Sequence, residues 1–199
     1  MTAAEVLSEY KKNAVFYKKG GLTVTGGEPL LQIDFLIELF EKAKKEGIHT
    51  CIDTSGITYD ASDRDYLAKL DTLMQYTDLV MLDIKHIDAE KHKELTGQTN
   101  ERVLGFAKYL DSKNVPTWIR HVVLEDYTDG ENDLFALGEF IGTLKNVKAL
   151  DVLPYHTMGA QKYKELGIQY RLEGIPALSK ADAARAKEKI LNGIRKMRK

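Results

Sequence analysis

Several predicted strands of this sequence are followed directly by polar or glycine residues that could do chemistry. The five clusters are Gly26-Gly27-Glu28, Asp53-Thr54-Ser55-Gly56, Asp83-Ile84-Lys85-His86, Glu125-Asp126 and Pro154-Tyr155-His156. One such cluster alone is typical of an ordinary turn or helix cap. In parallel α/β folds, however, ligands bind beyond the carboxyl ends of the strands. The recurrence of these clusters therefore indicates one shared site.

The first cluster has the composition of a ligand-binding turn. Two successive glycines let the backbone approach a ligand without interference from Cβ atoms, and Glu28 at a helix start can hold the turn. Such a turn suits a small zwitterion or a phosphate. It has no GxGxxG spacing and no lysine after the glycines, so the fingerprint of nucleotide-binding loops is absent.

The other clusters offer ligand groups of different kinds. Asp53, Thr54 and Asp83 carry hard oxygens that suit a cation. Lys85 lies two residues beyond Asp83 and points to the same side of its strand, where it either holds a ligand carboxylate or pairs with Asp83. His156 either contacts a heterocycle or is satisfied by backbone groups.

The elements that must position these clusters alternate along the whole chain. The predicted strands are 22–25, 49–53, 79–83, 117–123 and 147–153, and the predicted helices are 2–19, 29–46, 64–76, 89–95, 102–112, 132–144 and 180–198. Thr2 and Glu5 have capping-box spacing, Pro29 suits a first helical turn, and Gly47 ends a helix. Strands separated by helices need right-handed crossovers. The pattern therefore predicts a parallel sheet, either doubly wound or part of a β/α barrel.

Composition narrows the classes of function. The chain has 199 residues, 43% of them hydrophobic, and a net charge of -1, which predicts one domain over 1–199 and gives no electrostatic argument for nucleic-acid binding. No apolar run approaches the roughly 20 residues that span a bilayer, and no signal-peptide core is evident, so we expect no membrane partner and a cytoplasmic location. The single cysteine, Cys51, excludes a thiolate cluster and is expected to be a buried small hydrophobe.

Five segments of the chain carry a resemblance to a known family. They are TVTGGEPLLQ, EGIHTCIDTSG, TDLVMLDIKH, WIRHVVLEDYTD and VLPYHTMG. In this order and spacing they resemble the glycyl-radical-enzyme activases of the radical S-adenosylmethionine superfamily, over essentially the whole chain. The resemblance implies a partial (β/α)6-type TIM-like barrel with parallel strands.

The resemblance also implies an activity, cofactors and partners. In this family S-adenosylmethionine is cleaved reductively at a [4Fe–4S] cluster with electrons from an external donor, and the resulting radical takes a hydrogen atom from a glycine of a glycyl radical enzyme. Pyruvate formate-lyase is the expected partner, because the ferredoxin-like insert usual in activases of other glycyl radical enzymes is absent from this sequence.

Site residues follow from the same resemblance, position by position. Gly26, Gly27 and Glu28 match the GGE motif, whose backbone meets the methionine amino group of the cofactor. The other matched cofactor-binding positions are Asp83, Ile84, Lys85 for the carboxylate, and His156 near the adenosyl portion. The positions that match ligands of a monovalent cation are Asp53, Thr54, Met81 and Asp83.

The sequence departs from the family in one respect. The family's chemistry needs a CxxxCxxC loop upstream of GGE, whose three thiolates hold the cluster, and one cysteine cannot provide it. We therefore expect that the first strand and the cluster loop are missing, by truncation or by natural loss, that no catalytic residue lies in this chain, and that it does not cleave S-adenosylmethionine. An uncovered barrel edge predicts self-association.

Two other classes of function stay open at this point. A non-redox barrel enzyme could use Lys85 for a Schiff base, or Asp53, Asp83 and His156 around a divalent metal. A cluster-free binding module could hold a glycine-bearing segment of a glycyl radical enzyme without performing chemistry.

Overall fold

The computed structural model describes residues 1–17, 20–170 and 172–199. Its sheet consists of β1 (Gly21–Val24), β2 (His49–Thr54), β3 (Leu79–Asp83), β4 (Thr117–Val123) and β5 (Val147–Pro154), in the spatial order β1-β2-β3-β4-β5. All five strands are parallel. The register pairs Gly21 with His49 and Cys51 with Leu79. The prediction of a parallel α/β fold is confirmed.

Helices occupy most of the segments between the strands. They are α1 (Ala3–Lys12), α2 (Ile33–Lys45), α3 (Arg64–Met74), α4 (Ala89–Thr96), α5 (Glu101–Ser112), α6 (Glu131–Thr143), α7 (Met158–Glu165) and α8 (Lys180–Met197), with short 3₁₀ helices over Ala14–Tyr17 and Pro29–Gln32. Among the described residues, no helix combines the length and the apolar character needed to cross a bilayer.

The described chain divides into two compact units. Unit 1 comprises Met1–Asp83, Glu101–Ile119 and Lys145–Ala149, and unit 2 comprises Ile84–Asn100, Arg120–Leu144 and Leu150–Lys199. The expectation of one domain over 1–199 stays a prediction.

Unit 1 is built around the first three strands. Phe40 of α2, Ile52 of β2, Leu82 of β3 and Phe106 of α5 are fully buried, as expected where apolar helix faces cover a parallel sheet. The predicted capping box of α1 is present: Glu5 N donates to Thr2 Oγ1, and Thr2 N donates to Glu5 Oε2. The buried apolar side chains between the helices and the sheet therefore form the core that supports β1 and β2.

Unit 2 depends on a close crossing of α6 and α8. A Cβ atom added at Gly138 would lie 2.0 Å from the carbonyl oxygen of Ile190, and one added at Gly193 would lie 2.2 Å from that of Phe135. The two helices therefore touch backbone to backbone, at positions where any side chain would force them apart.

Most predicted elements agree with the observed ones to within two residues at each end, and three differ more. The predicted helix 2–19 ends at Lys12 and is followed by the 3₁₀ helix, because Val15, Phe16 and Tyr17 are β-branched or aromatic and favour α-helix less; Lys18 and Lys19 lie outside the described residues. The predicted helix 29–46 begins as 3₁₀ over Pro29–Gln32. Helix α7 (Met158–Glu165) was not predicted.

Candidate functional site

The glycine turn after β1 is open to solvent. Gly26 and Gly27 have φ angles of 91° and 54°, in the left-handed region that glycine adopts most easily. Apart from the glycine itself and its two neighbours in the chain, no heavy atom of the described residues lies within 4 Å of a Cβ built at either glycine. The backbone hydrogen bonds of the described residues include none from Gly26 or Gly27. This turn therefore presents unpaired peptide groups that a polar ligand can reach.

Four hydrogen bonds hold the carboxylate of Glu28, the residue that follows the glycines. Its Oε1 accepts from Leu30 N at 3.1 Å and from Thr54 Oγ1 at 2.5 Å. Its Oε2 accepts from Ser55 N at 3.0 Å and from Ser55 Oγ at 2.7 Å. Two donors serve each oxygen, so the carboxylate is occupied by the protein itself. Glu28 therefore contributes to a ligand site by shaping the turn.

The hydroxyl groups of Thr54 and Ser55, which donate to Glu28, also accept hydrogen bonds from the backbone of the following loop. Thr54 Oγ1 accepts from Gly56 N at 2.9 Å, and Ser55 Oγ accepts more weakly from Ile57 N at 3.4 Å. Because these lone pairs are used, each hydroxyl hydrogen is left to point at Glu28. Gly56 has a φ of 69°, and a Cβ there would lie 2.7 Å from the ring of Phe106. Only glycine fits at this place in the loop.

Unit 1 also contains the residues expected to hold a monovalent cation. Asp53 and Met81 are register partners on β2 and β3, and both are half-buried, as is Asp83. Asp53 and Asp83 each have an interaction partner in the structure. The Thr54 hydroxyl already serves Glu28 and Gly56, so a cation here would use other oxygens. The cation site stays a prediction.

Unit 2 contains the remaining predicted cofactor residues. Ile84 is fully buried, and its N–H donates to Arg120 O at 3.0 Å. Neither its side chain nor its N–H is therefore free for a ligand. Lys85 is half-buried and has an interaction partner. His156 is exposed.

Sequence reasoning did not single out His121, a buried residue that contacts the segment after β3. Its Nδ1 lies 2.8 Å from Ile84 O, and its Nε2 lies 3.3 Å from Thr128 O. Burial lowers the pKa of His121 below its usual value. The alternation of buried and more exposed residues along β4 agrees with an inward-facing side chain at this position. A pattern of this kind does not identify the hydrogen-bond partners of the side chain.

The acidic pair predicted after β4 lies beside a cavity of unit 2. Glu125 and Asp126 line a space of about 570 Å³, together with Lys91, Glu94 and Tyr127 among others. Lys91 is paired with Asp133 at 2.6 Å. No group of three His, Cys, Asp or Glu side chains within the described ranges could hold a metal ion, which gives no support to a divalent metal site.

The thiol of Cys51 does not suit a metal cluster. The residue is 5% exposed within β2, and burial raises the pKa of its thiol. The expectation that it is a buried small hydrophobe is confirmed. A [4Fe–4S] cluster needs several thiolates, and this sequence has one cysteine. The residues present therefore do not fit the cluster.

An all-parallel sheet with helices between its strands and an open glycine turn after the first strand defines a β/α protein of the partial TIM-barrel class. Comparison with known proteins identifies the family. The sequence model described as Radical SAM superfamily matches residues 1–137, more than half of the chain. This chain belongs to the radical SAM superfamily.

Within that superfamily the chain is a homologue of pyruvate formate-lyase-activating enzymes. It is 52% identical over 178 residues to the enzyme so named from Listeria monocytogenes, covering 88% of this chain and 71% of that protein. It is 49% identical over 175 residues to the one from Streptococcus mutans, covering 87% of this chain and 66% of the relative. A solved domain of such an enzyme from Bacteroides vulgatus has a TM-score of 0.69 at 22% identity, covering 87% of this chain and 94% of that domain. That last likeness supports the fold alone.

Proposed function

We propose that this chain binds S-adenosylmethionine at the glycine turn and belongs to the machinery that activates a glycyl radical enzyme. The observation that carries the proposal is the turn itself. Its peptide groups are accessible to a ligand, and the next residue, Glu28, is fixed by hydrogen bonds from Thr54 and Ser55. Backbone carbonyl groups can accept hydrogen bonds from an ammonium group, so the turn suits the amino group of a methionine zwitterion. Identity of about half to the activating enzymes supports the same ligand.

The other contacts of the cofactor are part of this proposal. Lys85 suits the carboxylate as a point charge, the backbone of Ile84 lies next to it in the chain, and His156 suits the adenosyl portion. Asp83, the last residue of β3, is included as a further position that contacts the cofactor. A monovalent cation beside the cofactor would be held by the four positions Asp53, Thr54, Met81 and Asp83.

We infer that these 199 residues bind the cofactor without cleaving it. Reductive cleavage takes an electron from a cluster held by several thiolates, and Cys51 is one buried thiol in a strand. The external electron donor of the family therefore has no acceptor in this set of residues. The partner that we propose is a glycyl radical enzyme, with pyruvate formate-lyase the first to test, and the expected location stays the cytoplasm.

Equilibrium dialysis with labelled S-adenosylmethionine tests the proposal. The Gly26→Ala variant should bind about tenfold more weakly, because a side chain at a φ of 91° strains the turn. Gly97 is the matched control, since its φ is 88° and a Cβ there also meets nothing within 4 Å. Gly97→Ala should lose similar stability and keep the affinity.

Two results would contradict the proposal. One is a folded wild-type protein that does not bind S-adenosylmethionine, and the other is an equal loss of affinity in the two glycine variants. Incubation with dithionite and S-adenosylmethionine tests the second half of the proposal, and release of 5′-deoxyadenosine would refute it. Borohydride trapping at Lys85 would instead favour Schiff-base chemistry.

A further inference from the structure

We infer that Ser55, assisted by the hydroxyl of Thr54, is a positioning residue that holds the glycine turn in its ligand-binding conformation by way of Glu28. For the identity of the ligand this inference rests on the proposed function. Ser55 lies at the end of β2, 27 residues from Glu28 in the sequence, and was not among the residues that the resemblance assigned to the cofactor.

The turn needs an external support. Gly26 and Gly27 both have positive φ, and glycine can take many other backbone conformations equally easily. No backbone hydrogen bond from the described residues fastens either glycine. The next residue, Glu28, is extended, with φ of -124° and ψ of 105°, and its side chain caps the 3₁₀ helix at Leu30. The conformation of the turn therefore depends on how Glu28 is anchored.

Ser55 supplies half of that anchor. It provides both donors to Oε2, whereas Oε1 is shared between Leu30, which follows Glu28 in the chain, and Thr54. The hydrogen bonds that tie Glu28 to a different part of the fold are thus all from Thr54 and Ser55. Hydrogen bonds to an ionised acceptor are stronger than those between neutral groups. The loss of the Ser55 hydroxyl should therefore let the carboxylate of Glu28 change its orientation more easily.

Substitution of Ser55 separates a positioning role from a general structural one. Ser55→Ala removes the hydroxyl and keeps the backbone N–H, and Ser55→Thr restores a hydroxyl. Ser62→Ala is the matched control, because Ser62 in the same unit also donates to one carboxylate oxygen through both N and Oγ, at 2.9 Å and 2.6 Å, but that carboxylate belongs to Asp60.

The first measurement needs no ligand. In nitrogen-15 NMR spectra of the folded variants, Ser55→Ala should shift the amide signals of Gly26 and Gly27, and Ser55→Thr should return them towards the wild-type positions. Ser62→Ala should leave both signals in place. Equal effects of the two alanine variants on these glycines would overturn the inference.

The second measurement is the affinity for S-adenosylmethionine. Ser55→Ala should raise the dissociation constant about tenfold, with rescue by Ser55→Thr and no change in Ser62→Ala. An unchanged affinity in Ser55→Ala, in a protein whose wild type binds, would overturn the positioning role. If the wild type does not bind, the proposed function fails, and the glycine signals alone then decide whether Ser55 holds the turn.

Discussion

Replacement of Glu28 by glutamine should destabilise unit 1 far more than the loss of an ordinary surface carboxylate. Glutamine keeps the shape of the side chain but turns one acceptor oxygen into an NH2 donor. Each carboxylate oxygen of Glu28 accepts two hydrogen bonds, so either Leu30 N and Thr54 Oγ1 or both donors of Ser55 would then face another donor.

The expected cost follows from those contacts. Two hydrogen bonds to a charged group contribute about 1.5–3 kcal/mol each. The hydroxyl among the displaced donors can rotate and accept instead, whereas the backbone N–H cannot. We therefore expect a net loss of about 3 kcal/mol in the free energy of unfolding, which is a large part of the roughly 5–15 kcal/mol typical of a folded protein.

Urea denaturation followed by circular dichroism measures this change. With a slope of about 2 kcal/mol per molar urea, the midpoint should fall by about 1.5 M at an unchanged slope. Glu38→Gln is the control, since Glu38 makes an exposed i,i+4 ion pair with Lys42 at 2.6 Å, and such pairs contribute about 0.3–0.5 kcal/mol. Equal midpoints for the two variants would refute the reasoning that Glu28 anchors the turn.

Three further predictions concern other parts of the molecule. Gly138→Ala should lower stability by about 1–3 kcal/mol, because its methyl would lie 2.0 Å from Ile190 O. Gly142→Ala should cost less in the same urea series, because its methyl would lie 2.7 Å from Met197 Cβ, a smaller overlap. Burial lowers the pKa of His121 below its usual value of about 6.5, so the unfolded chain binds the proton more readily, and stability should fall as the pH drops below about 6.5. Because burial also lowers the pKa of His86, the pH dependence of thermal melting should become shallower in His121→Gln without vanishing, and an unaltered slope would be the contrary result. Strand β1 lies at an edge of the sheet, and Phe16, which precedes it in the chain, is 84% exposed. An unpaired edge beside an exposed aromatic side chain favours association, so sedimentation velocity should show self-association that weakens in Phe16→Lys. A wild-type protein that is purely monomeric would contradict this prediction.

The sequence by itself determined most of the fold and indicated which turn could bind a ligand. Strands β3 and β4 match the predicted ranges 79–83 and 117–123 at both ends. A run of β-branched and apolar residues between polar turns favours a strand through interactions within a few residues of the chain, so it can be read from the sequence. The capping box at Thr2 and the burial of Cys51 also follow from short stretches of chain. The glycine turn was recognisable because two successive glycines after a predicted strand let a ligand approach the backbone without interference from Cβ atoms.

Only the tertiary structure decided how that turn is held. The donors to Glu28 come from the end of β2, 26 and 27 residues away, and they reach it because the parallel pairing of β1 and β2 brings the two strand ends together. The contact of Gly138 with Ile190 likewise depends on where two helices cross. A periodic pattern states which face of an element is buried. It does not state which residue of a distant element lies against it, because register and crossing are set by the packing of the whole core.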